Sequence, residues 1–172
     1  MKLTALILLN LLSVSAIAQK SNSVDVKRLD ILEFKPNQRV FIEGANSKGT
    51  VTKISGNCDI GNTSSYDVQL DNGRTQTFCG SNELGPIPNS WNYSFRYDIP
   101  LALGKTLTIT DQYWNPGKIV VTVKIEEILI GVRMSNADPE RKIIINGIKS
   151  DGEKTTILLN NFSYSQYQFR LD

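Results

Sequence analysis

The chain reads as all-β, with two small sheets or barrels in series, and three observations predict it. Short runs rich in β-branched and aromatic residues recur from residue 39 onward, and glycine, Asn-Gly and Asp-Gly pairs punctuate them. No window holds a sustained helical period with a cap before it and a glycine after it. The nearest approach is residues 26–32, where Val26, Leu29, Ile31 and Leu32 would make one short turn.

Residues 1–18 carry one charge, Lys2, then an apolar run at 6–12 broken by Asn10, and they close on Ala16-Ile17-Ala18. That is the layout of a secretory leader with a small-x-small cleavage site, and cleavage is expected after Ala18. The apolar run falls short of the roughly 20 residues that cross a bilayer. No cysteine follows it to carry a lipid. The expected location is therefore outside the cytoplasm, secreted or periplasmic. Residues 19–33 form a polar lead-in rich in Ser and Asn at its start.

In the first domain, expected over residues 34–85, strands are predicted at 40–42, 50–54, 65–70 and 74–78, separated by Gly44, Gly49, Gly56 and Asn72-Gly73. A boundary is placed at 84–90, where Pro86 and Pro88 cannot donate to a ladder. The second domain, over residues 91–172, opens with Tyr93, Phe95 and Tyr97 alternating against Asn92, Ser94 and Arg96, the pattern of a half-buried strand. Further strands are expected at 106–110, 119–130, 142–148, 155–159 and 166–171. The turn Lys149-Ser150-Asp151-Gly152-Glu153 predicts a hairpin between 142–148 and 155–159.

Tyr66, Val68 and Leu70 share one face of their strand by the period of two. A two-residue turn at Asn72-Gly73 would place Tyr66 opposite Cys79 and leave Phe78 outside. A turn at Asp71-Asn72 with Gly73 as a left-handed bulge places Tyr66 opposite Phe78 and Leu70 opposite Arg74. The second register buries an aromatic that the first exposes, a difference of ~2 kcal/mol, so the bulged hairpin is expected.

The first domain carries Pro36-Asn37-Gln38-Arg39-Val40, then Lys48-Gly49-Thr50-Val51-Thr52-Lys53-Ile54, then Tyr66-Asp67-Val68-Gln69-Leu70-Asp71-Asn72-Gly73, and finally Phe78 and Glu83-Leu84. That succession, about fifty residues long, resembles an SH3-like barrel of the Tudor or KOW sort. The resemblance implies a fold and not a chemistry. Tudor-like barrels that read methylated side chains use an aromatic cage. Here Phe41, Tyr66 and Phe78 fall at expected core positions instead.

The chain has two cysteines, Cys58 and Cys79. An even count in an exported chain predicts a disulfide. Either hairpin register brings Cys79 to the sheet end where the preceding strand finishes near Gly56, within reach of Cys58. In the loop-entropy model such a ring stabilises by ~3 kcal/mol, and with no C-x-x-C it reads as a staple.

The sequence has no histidine. This removes Ser-His and Cys-His nucleophiles and every His-ligated metal site. What remains for an enzyme is a Ser-Lys pair or two carboxylates. Glu126 and Glu127 are adjacent in an expected strand, which should send them to opposite faces. Asn136, Asp138 and Glu140, like Asp59 and Asn62, read as solvated turn residues, not a Ca²⁺ loop. No phosphate-cradling glycine motif occurs, so no cofactor or metal is expected. The formal net charge is +2, falling to +1 without Lys2, too little to predict nucleic-acid binding. Asn62, Asn92 and Asn161 each open an N-x-S/T acceptor pattern, which matters only in a host that glycosylates.

Trp91, Tyr93, Tyr113 and Trp114 lie at the domain boundary or in the turn-rich stretch 111–117. Aromatics at such places commonly pack neighbouring modules together, and they also anchor partners. These four are the candidate partner contacts. The expected function is that of a non-catalytic exported binding or envelope-associated protein, not an enzyme, with a protein, peptide or glycan partner. The alternatives are a secreted inhibitor that inserts the loop 57–64 into a target, and a carboxylate-dependent hydrolase.

Overall fold

The computed structural model describes residues 33–58, 63–94, 98–135, 138–163 and 165–172. The leader, most of the lead-in, the turn expected at 26–32 and the tip of the loop 57–64 lie outside these residues.

The first half builds β1 (Arg39–Ile42), β2 (Ser47–Asn57), β3 (Ser64–Leu70), β4 (Thr75–Cys79), a single α-turn α1 (Gly80–Glu83) and β5 (Leu84–Pro86). These strands form one antiparallel sheet in the order β4-β3-β2-β1-β5. β5 was not foreseen, because Pro86 argues against a ladder. Its place at the sheet edge resolves the conflict, since an edge strand tolerates a residue with no N–H to give. The core of this half gathers Phe34, Val40, Ile42, Val51, Tyr66, Val68, Leu70, Phe78 and Leu84.

The β3–β4 hairpin adopts the bulged register, with Tyr66 opposite Phe78 and Val68 opposite Gln76. The Leu70 N–H donates to the Arg74 carbonyl oxygen at 2.8 Å and the Gly73 N–H to that of Leu70 at 2.9 Å. Gly73 takes φ +85°, a left-handed conformation that β-branched residues resist. The turn at 149–153 repeats this arrangement: Lys149 N–H to Glu153 carbonyl at 2.9 Å, Gly152 N–H to Lys149 carbonyl at 3.0 Å, and Gly152 at φ +87°. In both, an Asx oxygen one residue before the glycine, on Asn72 or Asp151, accepts the N–H two residues on. Two distant turns thus use one solution.

The second half builds β6 (Ser90–Ser94), β7 (Asp98–Ala102), β8 (Thr106–Asp111), β9 (Ile119–Ser135), β10 (Asp138–Lys149), β11 (Lys154–Leu158), a 3₁₀ turn (Leu159–Asn161) and β12 (Tyr167–Leu171). A second antiparallel sheet runs β11-β10-β9-β8-β12, and β6 and β7 form a separate ribbon. The hairpin expected between 142–148 and 155–159 is present as β10–β11. β7 escaped notice because it is short and holds Pro100. It contributes Ile99 and Leu101 to a core with Leu107, Ile109, Val123, Ile125 and Ile128 among others. Both large sheets are open, their edge strands unpaired with one another.

The two sheets meet where β1, α1 and β5 approach β9. A Cβ built on Gly85 would stand 1.5 Å from the Ile130 carbonyl oxygen, so main chain touches main chain there. Two ion pairs cross the junction: Lys142 Nζ to Glu43 Oε1 at 2.7 Å and Lys48 Nζ to Glu127 Oε1 at 2.5 Å. Phe41, Leu129 and Val132 are buried on the strands that meet here and belong to neither core cluster.

Candidate functional site

The segment between β8 and β9 is built around one side chain. Asp111 closes β8 and is buried, although the residues after it are exposed. Its N–H donates to the Lys118 carbonyl oxygen and its own carbonyl accepts from Gly117 N–H, both at 2.9 Å, which closes the loop at its base. Its carboxylate then accepts three backbone N–H groups: Tyr113 at 2.8 Å and Trp114 at 2.9 Å on Oδ1, and Asn115 at 3.0 Å on Oδ2. Burial pushes this carboxyl up, but the three N–H donors outweigh it and hold it below its ordinary value. Gln112 ties the loop to the segment entering β12, its N–H donating to the Gln166 carbonyl oxygen at 2.8 Å.

The clamped loop carries its two large side chains outward. Tyr113 is 63% exposed and Trp114 71% exposed. Their rings meet edge to face, with centroids 4.9 Å apart at 83°. Packing between modules, the commoner role for such aromatics, is therefore not what Tyr113 and Trp114 do: the junction is made by Gly85, Ile130 and the two ion pairs instead. Ile119 and Val120, the next residues of β9, extend the exposed apolar surface at 61% and 47%. Trp91 and Tyr93 lie in β6, at register positions opposite Leu101 and Ile99, apart in sequence from this loop. Their side chains lie outside the described part of the molecule. Asp111 was missed as a site residue, yet an Asp followed within six residues by Asn-Pro-Gly is a legible signal for a carboxylate that nests backbone N–H groups.

Two other polar clusters among the described residues centre on carboxylates, Asp67 and Glu127, that are already paired. On the outer face of the first sheet, register shifts at Val51/Lys53 and Ile54/Gly56 make Thr52 and Ser55 extra residues of β2. Asp67 accepts from Ser55 and, at 2.6 Å, from Thr77, and pairs with Lys53 at 3.2 Å. Those hydrogen bonds, Ser55 first, hold it at about 2. A carboxylate so acidic is a poor base for activating Ser55, although a lysine and a carboxylate stand close to that hydroxyl.

Glu126 and Glu127 do not take opposite faces as alternation predicts. β10 slips by one residue against β9, pairing Asn146 with Glu127 and Gly147 with Ile125, so Glu126 is the bulged residue. Both glutamates then line one open cleft with Lys154 and Thr156. Glu127 is committed: it accepts from Lys48 and, at 2.9 Å, from Asn146. Burial raises its carboxyl, and those bonds with the Lys48 charge bring it below the ordinary range. A second cleft, of 360 Å³, opens at the junction between Ile42, Asn82, Val132 and Arg133.

Cys58 and Cys79 form the expected disulfide, with Cα atoms 5.8 Å apart. Asp59 and Asn62 lie outside the described residues, and so do the side chains of Asp138 and Glu140. Among the described residues no group of three His, Cys, Asp or Glu side chains converges as a metal site, and no helix is long and apolar enough to cross a membrane. No protein-family model matches the chain, and neither the curated proteins nor the solved structures contain a match to it.

Proposed function

We infer that this is a non-catalytic binding protein that works outside the cytoplasm and presents the loop between β8 and β9 to its partner. The observation that carries this inference is the pairing of exposure with rigidity. Tyr113 and Trp114 lie outward, while three hydrogen bonds to the Asp111 carboxylate fix the backbone that holds them. Tyr and Trp are the side chains that most often dominate binding energy at protein surfaces. A loop ordered in advance loses little conformational entropy when a partner docks. Export is supported by the leader-like residues 1–18 together with the Cys58–Cys79 bond, which persists in oxidising compartments.

Reading residues 34–85 as an SH3-like barrel of the Tudor or KOW sort belongs to the same proposal. Its support is the four-strand meander, a single helical turn after β4, and a fifth strand that returns to pair with β1. The hydrolase alternative has less behind it, because Glu127 is neutralised by Lys48 and is not poised as an acid at neutral pH.

The test is quantitative capture from the host's secreted or envelope fraction with the wild type, Tyr113→Ala and Trp114→Ala, each checked for an unchanged thermal midpoint. A partner retained by the wild type and lost with Trp114→Ala supports the inference. Identical recoveries for all three proteins would remove it.

A further inference from the structure

β9 outruns β10, and this leaves an open ladder edge beside the aromatic loop. The last residue of β10 to pair with β9 is Lys149, opposite Val123. The chain then turns back at 149–153 and returns as β11 on the far side of β10. Ile119, Val121 and Thr122 of β9 therefore pair with β8 alone, Val120 is the extra residue of a bulge opposite Ile109 and Thr110, and no strand lies on the other side of residues 119–122 among the described residues.

The alternation of the ladder shows which backbone groups face that open side. Thr106 exchanges two hydrogen bonds with Asp172, on the β12 side of β8. By the period of two, Leu107 and Ile109 turn their backbone groups toward β9, where their partners are Val123 and Val121. Thr122, between those two valines, points its N–H and C=O away from β8, to the side that β10 has vacated. An unpaired edge of this kind is a template for an added strand.

The surroundings restrict what could add. Ile119 and Val120 are exposed, and the edge-to-face Tyr113–Trp114 pair forms a corner, not a flat platform, at the same end of the sheet. Lys118 and Lys124 bracket the open stretch. Both are exposed, and neither makes an ion pair among the described residues, whereas lysines nearby do, as Lys149 with Glu153. A second copy of this chain pairing through the same edge would crowd two such lysine pairs together, which disfavours self-association.

We propose that residues 119–122 accept an extended peptide segment of another protein as an added strand, one with β-branched residues at its centre and acidic residues flanking them. The proposal rests on the reading of the β8–β9 loop as the binding surface and names the chemistry of its partner. Main-chain bonds to Thr122 hold the strand, and apolar side chains lie beside Ile119, Val120 and the Tyr113–Trp114 corner. The acidic residues meet Lys118 and Lys124.

The probe is an acetylated, amidated peptide, Glu-Val-Thr-Val-Thr-Val-Glu, titrated into the purified protein while backbone amide resonances are followed. Binding should move the Thr122 amide and slow its hydrogen exchange. Removing the outward donor with Thr122→Pro, or methylating the peptide nitrogens that face the edge, should each weaken binding roughly fivefold or more, as the loss of a main-chain hydrogen bond requires. Thr122→Pro leaves the β8 ladder intact, because the Thr122 N–H does not take part in it. Replacing both peptide glutamates by lysine, or making Lys118→Glu with Lys124→Glu, should weaken binding, and combining the two reversals should restore it.

No change at Thr122 with millimolar peptide overturns strand addition, as does unaltered affinity of the methylated peptide. Changes confined to Tyr113 and Trp114 overturn it while leaving the aromatic loop as the binding surface. Protection of Thr122 that rises with protein concentration and no peptide assigns the edge to a second copy, and also overturns the proposal. If Thr122 responds but Tyr113→Ala and Trp114→Ala leave the affinity unchanged, the strand site stands and the aromatic loop as binding surface falls.

Discussion

Gly85 of β5 and Ile130 of β9 lie in main-chain contact across the junction of the two sheets, with a built Cβ on Gly85 reaching to 1.5 Å from the Ile130 carbonyl oxygen. Neither group is the end of a flexible side chain, so a methyl there is relieved only by moving a strand. Gly85→Ala should cost about 3 kcal/mol or more, at or above the upper end of overpacking penalties, because backbone and not side chain must yield. A denaturant melt measures it. An unchanged midpoint would mean that the two sheets are not joined at this point.

The β3–β4 register makes Phe78 a core residue. Phe78→Ala should cost ~3–5 kcal/mol as a buried aromatic truncation. Thr77→Ala, on the exposed face, should cost far less, though not nothing, because its hydroxyl donates to Asp67 at 2.6 Å. Gly73→Val should also be destabilising, since φ +85° is closed to a β-branched residue. Paired melts of Phe78→Ala and Thr77→Ala decide the register, and equal midpoints would refute it.

Asp67 should give the protein an acid-sensitive edge. Its carboxyl is lowered from 3.8 to about 2 by hydrogen bonds from Ser55, Thr77 and Lys53. A carboxyl depressed in the folded state stabilises it fully above the unfolded pKa, and that contribution fades as pH falls from there through the folded value. The loss should therefore lie between about pH 4 and pH 2. Carboxyl carbon shifts followed through an acid titration should place Asp67 among the last aspartates to protonate, and Thr77→Ala should bring its midpoint up.

Asp111 should control loop order more than global stability. Asp111→Ala removes the common acceptor of the Tyr113, Trp114 and Asn115 N–H groups. Hydrogen exchange at those three amides should accelerate while exchange in β9 beyond Val123 stays slow. Equal protection in both proteins would show that the carboxylate does not hold the loop.

Much of this architecture was legible because the determinants are local. The Asn72-Gly73 and Asp151-Gly152 pairs specify turns whose geometry follows from φ > 0, and the spacing of Tyr66, Val68 and Leu70 selects the face that Phe78 must join. What escaped depends on contacts between distant residues. β5 and β7 contain Pro86 and Pro100, and each exists because a neighbour pairs with it. The bulge that brings Glu126 and Glu127 into one cleft arises from a slip against Asn146 and Gly147, which no local pattern encodes. Tyr113 and Trp114 were visible as candidates, but their exposure could not be separated from module packing until the junction itself was seen.

The bond between Cys58 and Cys79 has a consequence for a damaged molecule. The ring that it closes contains the exposed tip of the β3–β4 hairpin, including Arg74. A trypsin-like protease that nicks the chain after Arg74 separates two pieces, one carrying Cys58 and the other Cys79, and the disulfide still joins them. The clipped protein should run as a single species until a reductant is added. Wherever reductants are scarce, such a break would leave both halves in place.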